Sequence, residues 1–286
     1  MKVSILLPAY KSPDLLTKVL CKSWFHHFFD NSDYELIIYD NGGNNSGKYE
    51  LGELECLKQD LSVPMEDFDD SSVTGIKVIG DGVNVGLNKA LNACAKVATG
   101  DYFFLPHTDM YLMPGCLEAL VSVAKNQPPL SFLMCSRSVE PTQGHTKHHI
   151  IKNYGMEAED FSQQNLLSDF QKYKNSTIEV GARMPFFMHR KLWERMKGVD
   201  EHYFSYCTDD DLIQEAWDVG VRKFWMVYDS LVYHLQGKSN NQQKIDKDSN
   251  EPYEYFIDKW KKRGYTQAKH PGQWHQEMLP FYTKVR

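Results

Sequence analysis

Groups able to bind phosphate, hold a cation or carry a proton recur at Pro8, Ala9 and Tyr10, at Asp40 and Asn41, at Asn84 with Gly86, and at His107, Thr108 and Asp109. Farther along, Asp209, Asp210 and Asp211 set consecutive carboxylates at the start of a predicted helix. Carboxylates crowded in this way raise one another's pKa, a property of a general base, although Asp at such a place also serves as a plain helix cap. Gly42 to Lys48 matches the G-x-x-x-x-G-K pattern of a phosphate loop, but Tyr49 follows where that loop needs a small hydroxyl for Mg²⁺. His145, His148 and His149 read as residues of a solvated loop rather than a metal cluster.

The elements that must carry these groups follow from hydrophobic spacing. Val3, Ile5 and Leu7 alternate and end at Pro8, which predicts a strand. Ser12, Pro13 and Asp14 supply a cap, a first-turn proline and a first-turn acid for a helix continued by Leu15, Leu16, Val19, Leu20, Phe25 and Phe28. Strands are predicted at 35–39, 76–79 and 102–105, with a helix from Gly86 to Ala98 stopped by Thr99 and Gly100. Residues 44–74 read as an acidic insertion with a helix near Tyr49 to Asp60. Alternation of strand and helix predicts a mostly parallel sheet, in which ligands collect at the carboxyl ends of the strands. The early candidate groups all fall just past such ends.

The later part is less regular. Short helices are predicted at 117–124, 191–196 and 211–219, and extended segments at 224–227 and 231–233, while 136–178 shows no clear pattern. Trp193 and Trp217 lie in apolar helical patterns and read as core residues.

A chain of 286 residues with 42% hydrophobic and 13% aromatic content supports a substantial core in one large α/β unit with additions. A net charge of −6 with no long basic run argues against a nucleic-acid partner. The cysteines Cys21, Cys56, Cys94, Cys116, Cys135 and Cys207 form no C-x-x-C pair and read as buried thiols. No apolar run approaches the ~18 residues of a transmembrane span. A soluble, cytoplasmic protein is expected, with peripheral membrane contact left open.

In order and spacing the motifs together resemble glycosyltransferase family two, a group with the GT-A fold. Residues 3–10 resemble its first strand, and 37–43 its second strand with the acid Asp40. Asn84, Gly86, Ala90 and Asn92 match N-x-G-x-x-x-A-x-N, and residues 103–110 with Pro114 and Gly115 are similar to the strand bearing its D-x-D motif. Residues 197–204 and 208–212 resemble the G-G-F-D-E and E-D-x-D-L stretches. Tyr233, His234, Gly237 and Ser239 resemble its late H-x-x-G-x-S, and Tyr255, Phe256, Lys259 and Trp260 echo its C-terminal signature. His107 stands at the first carboxylate of D-x-D, and Thr208 replaces the Glu of the E-D pair.

The resemblance implies a Rossmann-like GT-A catalytic unit over 1–236, with a donor and metal half at 1–115 and an acceptor half at 116–236. Residues 237–286 would form an extension packed on it. It implies transfer of a hexose or deoxyhexose, with inversion, from a nucleotide-diphosphate donor to a glycan hydroxyl. UDP is the expected donor base, with GDP and dTDP as options. Pro8, Tyr10, Asp40, Asn84, Gly86, Asn88, His107 and Thr108 would bind the donor. Asp109, with His234 and His107, would hold Mn²⁺ or Mg²⁺, manganese being favoured if imidazole coordinates. Asp209 would be the base and Asp211 its support. A nucleotidyltransferase and a non-catalytic carbohydrate-binding protein on the same fold are the alternatives. Oligomeric state is left open.

Overall fold

The computed structural model describes residues 1–28, 31–42, 75–144, 148–236, 251–267 and 282–284. The expected insertion at 44–74 with its helix, Cys56, the phosphate-loop residues from Gly43 to Lys48, His145, Gly237 and Ser239 lie outside the described residues.

The expected early strands form as β1 (Val3–Ala9), β2 (Tyr34–Asp40), β3 (Ile76–Ile79) and β4 (Tyr102–Leu105). They lie in the order β3, β2, β1, β4, all parallel. Apolar side chains on both faces of β1 explain its burial, complete but for Pro8. Val3, Ile5 and Leu7 enter one core layer with Trp24, Leu36 and Leu117, whereas Leu6 enters another with Ile37, Leu91 and Phe103. A strand covered on both faces reads as a continuous apolar run, as here. The first helical run consists of Pro13–Leu15, a π segment Leu16–Cys21 and Lys22–His27. It buries Leu16, Leu20 and Cys21 on the first of these layers, and Val19 in a third with Leu15 and Tyr111.

The second half completes the sheet with β5 (Met110–Leu112), β6 (Phe132–Glu140), β7 (Ile150–Ile151), β8 (Ile178–Val180), β9 (Phe186–His189) and β10 (Lys223–His234). β9 runs antiparallel between β4 and β6, and β10 lies parallel to β6. The extended segments expected at 224–227 and 231–233 are thus one strand. Its pairing with β6 shifts between Val227 and Leu231, where the Tyr228 N–H donates to Thr177 instead (3.1 Å). The unassigned stretch 136–178 holds the end of β6, β7, the helix Gln163–Asp169 and a 3₁₀ turn, Phe170–Tyr173. Short polar elements of this kind leave little periodicity to detect.

The helices Cys116–Ala124, Arg190–Met196 and Thr208–Asp218 lie within two residues of their expected starts, or three for the last. A further helix, Glu251–Lys262, fully buries Phe256 and Trp260 against the layer that contains Leu212, Ile213 and Ala216. Burying two such side chains stabilises the contact by roughly 1.5–3 kcal/mol each. A small antiparallel pair, β11 (Tyr265–Gln267) with β12 (Tyr282–Lys284), follows. Cys21, Cys94, Cys116, Cys135 and Cys207 are buried free thiols, as expected. Trp193 is in the core and Trp217 packs on its margin. Among the described residues, no helix is long and apolar enough to cross a membrane.

Candidate functional site

The parallel register of β1 and β2 pairs Ala9 with Asp40, and the Asn41 N–H donates to Ala9 (2.9 Å). Pro8 and Tyr10 therefore sit beside the buried Asp40 at one end of the sheet. Gly42 has φ +113°, and a Cβ there would lie 2.7 Å from the Tyr10 ring and 3.1 Å from Asn84. Glycine is what lets Tyr10 and Asn84 close over this turn. Asn41 Oδ1 accepts from the Val85 N–H (2.8 Å), and Asn84 Oδ1 from the Gly86 N–H (3.1 Å). Pro8, Tyr10, Asp40 and Asn84 are thus assembled at strand ends in the way the sequence predicts.

Gly86 and Asn88 have a different environment. Gly86, at φ +85°, lies under Phe204, where a Cβ would meet the ring at 2.8 Å. Asn88 donates to the Asp200 carbonyl (2.6 Å) and accepts from the Thr208 hydroxyl (2.8 Å). Asn92 holds Val199 through both ends of its amide (2.9 and 3.1 Å). This asparagine face of the Leu87–Val97 helix clamps the 199–208 loop. The clamp gives Thr208 a role as anchor for the helix it opens.

His107 and Asp109 lie on the turn between β4 and β5, closed by the Met110 N–H donating to His107 (3.2 Å). Thr108, between them, pairs its hydroxyl with that of Ser12 (3.1 Å), and both residues are buried. Antiparallel pairing sets His234 of β10 opposite Met110, and the Leu235 N–H donates to the Asp109 carbonyl (3.0 Å). One ligand atom each from His107, Asp109 and His234 consequently lies within 4.8 Å of the others. His234 Nε2 is 3.5 Å from Asp109 Oδ2, and its Nδ1 is 3.4 Å from Glu140 Oε1.

Burial pushes the Asp109 carboxyl up, but His234 and His107 outweigh it and hold the pKa at about 2. Burial pushes His234 down, yet Asp109 and Glu140 together raise it to about 9. Burial dominates at His107 and lowers it. A carboxylate with two imidazoles is a donor set that suits a borderline divalent cation, Mn²⁺ more than Mg²⁺. Glu140 bonding the second nitrogen of His234 is the outer-shell arrangement that orients a ligating histidine.

Asp209 occupies the first turn of the Thr208–Asp218 helix, where the Met184 N–H donates to its carboxylate. Its pKa is raised, and the cause is burial, opposed by His107 and Arg183, rather than the crowding with Asp210 and Asp211 expected from the sequence. Asp211 is turned to other partners. Its carboxylate accepts from Lys259, Trp260 and Tyr203.

Glu140 and Arg183 are not among the candidates the sequence offers, and His149 appears there only as a loop residue. Of the expected solvated histidines, His148 and His149 are bound instead, because Glu140 draws the buried His149 to 2.9 Å and Tyr228 holds His148 at 2.6 Å. An acid closing an apolar strand, as Glu140 closes β6, is the signal that could have found this group, since Asp40 closes β2 in the same way. Arg183 lies on an irregular connection that carries no pattern.

A family model described as glycosyl transferase family 2 matches residues 4–196. Among solved structures, S. aureus TarS 1–349 matches with a TM-score of 0.55 at 15% identity, over 82% of this chain and 60% of that one. TarS has also been solved with UDP and with UDP-GlcNAc. GalNAc-T7 with UDP, GalNAc and Mn²⁺ matches with a TM-score of 0.54 at 13% identity, over 82% and 43%. The mannosyltransferase PcManGT from Pyrobaculum calidifontis, in complex with GDP-Man and Mn²⁺, gives 0.57 at 12% identity, over 96% and 67%. Identities this low show a shared fold. The chain spans 60% of the length of the TarS 1–349 structure. No curated protein matches in sequence.

Proposed function

The chain belongs to glycosyl transferase family 2, and from that premise we propose that it moves a sugar from a nucleotide-diphosphate donor to a glycan hydroxyl, with inversion and with the help of a divalent cation. UDP-linked hexose or deoxyhexose is the favoured donor class, with GDP and dTDP sugars as options. The observation that carries this reading is the convergence of His107, Asp109 and His234 within 4.8 Å. The charges of Asp209 and His107 act on each other. Relatives in fold have been solved with UDP-GlcNAc and with GDP-Man and Mn²⁺.

Asp109, His234 and His107 would hold Mn²⁺, or less favourably Mg²⁺. A bound divalent cation offsets the negative charge that gathers on a departing nucleoside diphosphate. Pro8, Tyr10, Asp40 and Asn84 form the cradle for base and ribose. Gly86 and Asn88 contribute by seating the 199–208 loop, and Thr108 by tying the His107–Asp109 turn to Ser12. Asp209 takes the proton of the acceptor hydroxyl as its oxygen bonds to the anomeric carbon and the bond from that carbon to the phosphate oxygen breaks. One positioned carboxylate suffices for such a displacement. Burial raises the proton affinity of Asp209 and so improves it as a base. Asp211 supports it by docking the helix on Lys259. In this scheme 1–115 serves the donor, 116–236 the acceptor, and the Glu251–Lys262 helix of the 237–286 extension braces the catalytic unit.

Thermal shift with UDP, GDP, dTDP and their sugars, each with and without Mn²⁺, tests the reading. The expected result is selective stabilisation by one nucleotide class, strengthened by Mn²⁺, because a ligand at 100 times its Kd adds about 2.7 kcal/mol. The same panel on Asp109→Ala should lose the manganese effect. A protein stabilised by none of these nucleotides would sink the proposal.

A further inference from the structure

Arg183 lies on the connection between β8 and β9, next to Met184, whose N–H holds the Asp209 carboxylate. Its own N–H faces the Cys135 sulfur, which ties this connection to the middle of β6. The guanidinium Nη1 is sealed from solvent, and no described residue forms a hydrogen bond with it. Its charged surroundings are Asp209, Glu140 and His107, the groups that line the candidate site. Glu140 is already engaged by His149 (2.9 Å) and Gln236 (2.6 Å), and Asp209 by the Met184 amide.

A guanidinium does not shed its proton under ordinary conditions, so burial cannot neutralise it as it neutralises a lysine or a carboxylate. Its N–H groups form a planar fork shaped for two oxygens of a carboxylate or phosphate. An arm of that fork with no hydrogen-bond partner among the described residues, on the residue next to the amide that holds the proposed base, marks a position prepared for an oxyanion from outside the protein. The donor diphosphate is provided for elsewhere, at the Asp109 and His234 cluster. What lies beside Asp209 during transfer is the acceptor.

Resting on the transfer reaction above, we propose that Arg183 recognises the acceptor by binding an oxyanion, phosphate or carboxylate, that the acceptor carries near its reacting hydroxyl. The acceptor is accordingly an anionic glycan. Arg183 does not touch the reacting bond. It is a specificity residue that places the hydroxyl over Asp209.

The test measures inorganic phosphate and acetate binding by calorimetry on the wild type, Arg183→Met and Arg183→Lys, all saturated with UDP and Mn²⁺. One of the two anions should bind the loaded wild type. Arg183→Met should weaken it by about tenfold or more, and Arg183→Lys should fall between, since a lysine keeps the charge without the fork. Preference for phosphate identifies a phosphorylated acceptor, and preference for acetate an acid-sugar acceptor. UDP affinity should be the same in all forms, and Arg183→Met without added anion should melt no lower than the wild type. Equal anion binding in Arg183→Met, no anion binding to the loaded wild type, a tenfold loss of UDP affinity in Arg183→Met, or a lowered melting point in that variant would each overturn the assignment. Failure of UDP, GDP and dTDP to bind the wild type would strike the donor reading instead, and the anion titrations would then be read on the protein alone.

Discussion

The ammonium of Lys259 donates to both carboxylate oxygens of Asp211, at 2.8 and 2.7 Å. It also reaches Asp200 at 2.9 Å and Glu215 at 3.0 Å, so a single cation from the Glu251–Lys262 helix serves three acids. Asp211 follows Asp209 by two residues in the same helical turn. The clamp therefore fixes the direction of the proposed base. Lys259→Met should strand the acids and cost about 3–5 kcal/mol, as breaking a buried pair does. Denaturant unfolding would measure it, and Asp211→Asn in the same background should recover part of the loss. Burial pushes Lys259 down, but Asp211 and Glu215 outweigh it and raise its pKa above 10.5. A group raised in the fold gives stability that is complete below its unfolded pKa and fades as pH climbs through the folded one. The lysine should keep its charge through neutral pH and lose it in strong alkali. Burial raises its partner Asp211 to about 6, so that carboxylate takes up a proton as pH falls through this value. A Lys259→Met protein as stable as the wild type would remove the clamp from the account.

Metal binding should depend steeply on pH. His234 is raised from 6.5 to about 9, so its stabilisation of the metal-free protein is complete below pH 6.5 and lost as pH rises through 9. A cation needs the neutral ring and must displace that proton. Mn²⁺ affinity should therefore rise by close to tenfold per pH unit across this window, while the chelated protein loses stability. Manganese titrations between pH 6.5 and 9 decide the matter. A flat affinity would show that His234 is not a ligand.

The sheet and the grouping of the proposed donor residues were legible because their signals are local. Alternating apolar residues up to Pro8 and Tyr39 place strands, and in a parallel sheet the residues just past strand ends converge whatever the rest of the chain does. The candidate metal cluster was legible only in part. Asp109 and His107 follow from β4, but His234 reaches them through the β5 and β10 register, a contact 125 residues away in sequence. Arg183 gave no local signal, and His149 and the strand-closing Glu140 acquire their partners only when β6, β10 and the β8–β9 connection fold. Asn88 misled because its position in a helix-opening motif is the same whether its amide faces a ligand or, as here, a loop.

Glu140→Gln should separate orientation from coordination. Glu140 contacts His234 and His149 but is not one of the convergent ligand atoms. Its carboxylate raises the basicity of His234, and loss of such an outer-shell partner typically lowers metal affinity by about 10–100-fold. The variant should bind Mn²⁺ that much more weakly and recover nucleotide binding at high Mn²⁺. Asp109→Asn should show no such recovery. Equal manganese affinity in Glu140→Gln and wild type would leave Glu140 with a purely structural part.

Asp209→Asn tests the base. The substitution keeps size and most hydrogen-bonding capacity, so the Met184 N–H retains an acceptor and the helix start is preserved. Nucleotide and Mn²⁺ binding should be unchanged, while transfer should fall by roughly 10²–10⁴, the usual weight of a general base. Burial holds the Asp209 pKa above 3.8, so the ionised form costs folding free energy at neutral pH. A carboxyl raised in the fold gives stability that is lost as pH climbs through the folded value, and Asp209→Asn should therefore melt no lower than the wild type at neutral pH. In the wild type, transfer should rise with pH through that elevated value because only the carboxylate accepts a proton. Asp211→Asn should cause a smaller fall in turnover, since its carboxylate is engaged by Lys259, Trp260 and Tyr203. Undiminished transfer by a folded Asp209→Asn protein would mean that another group receives the acceptor's proton.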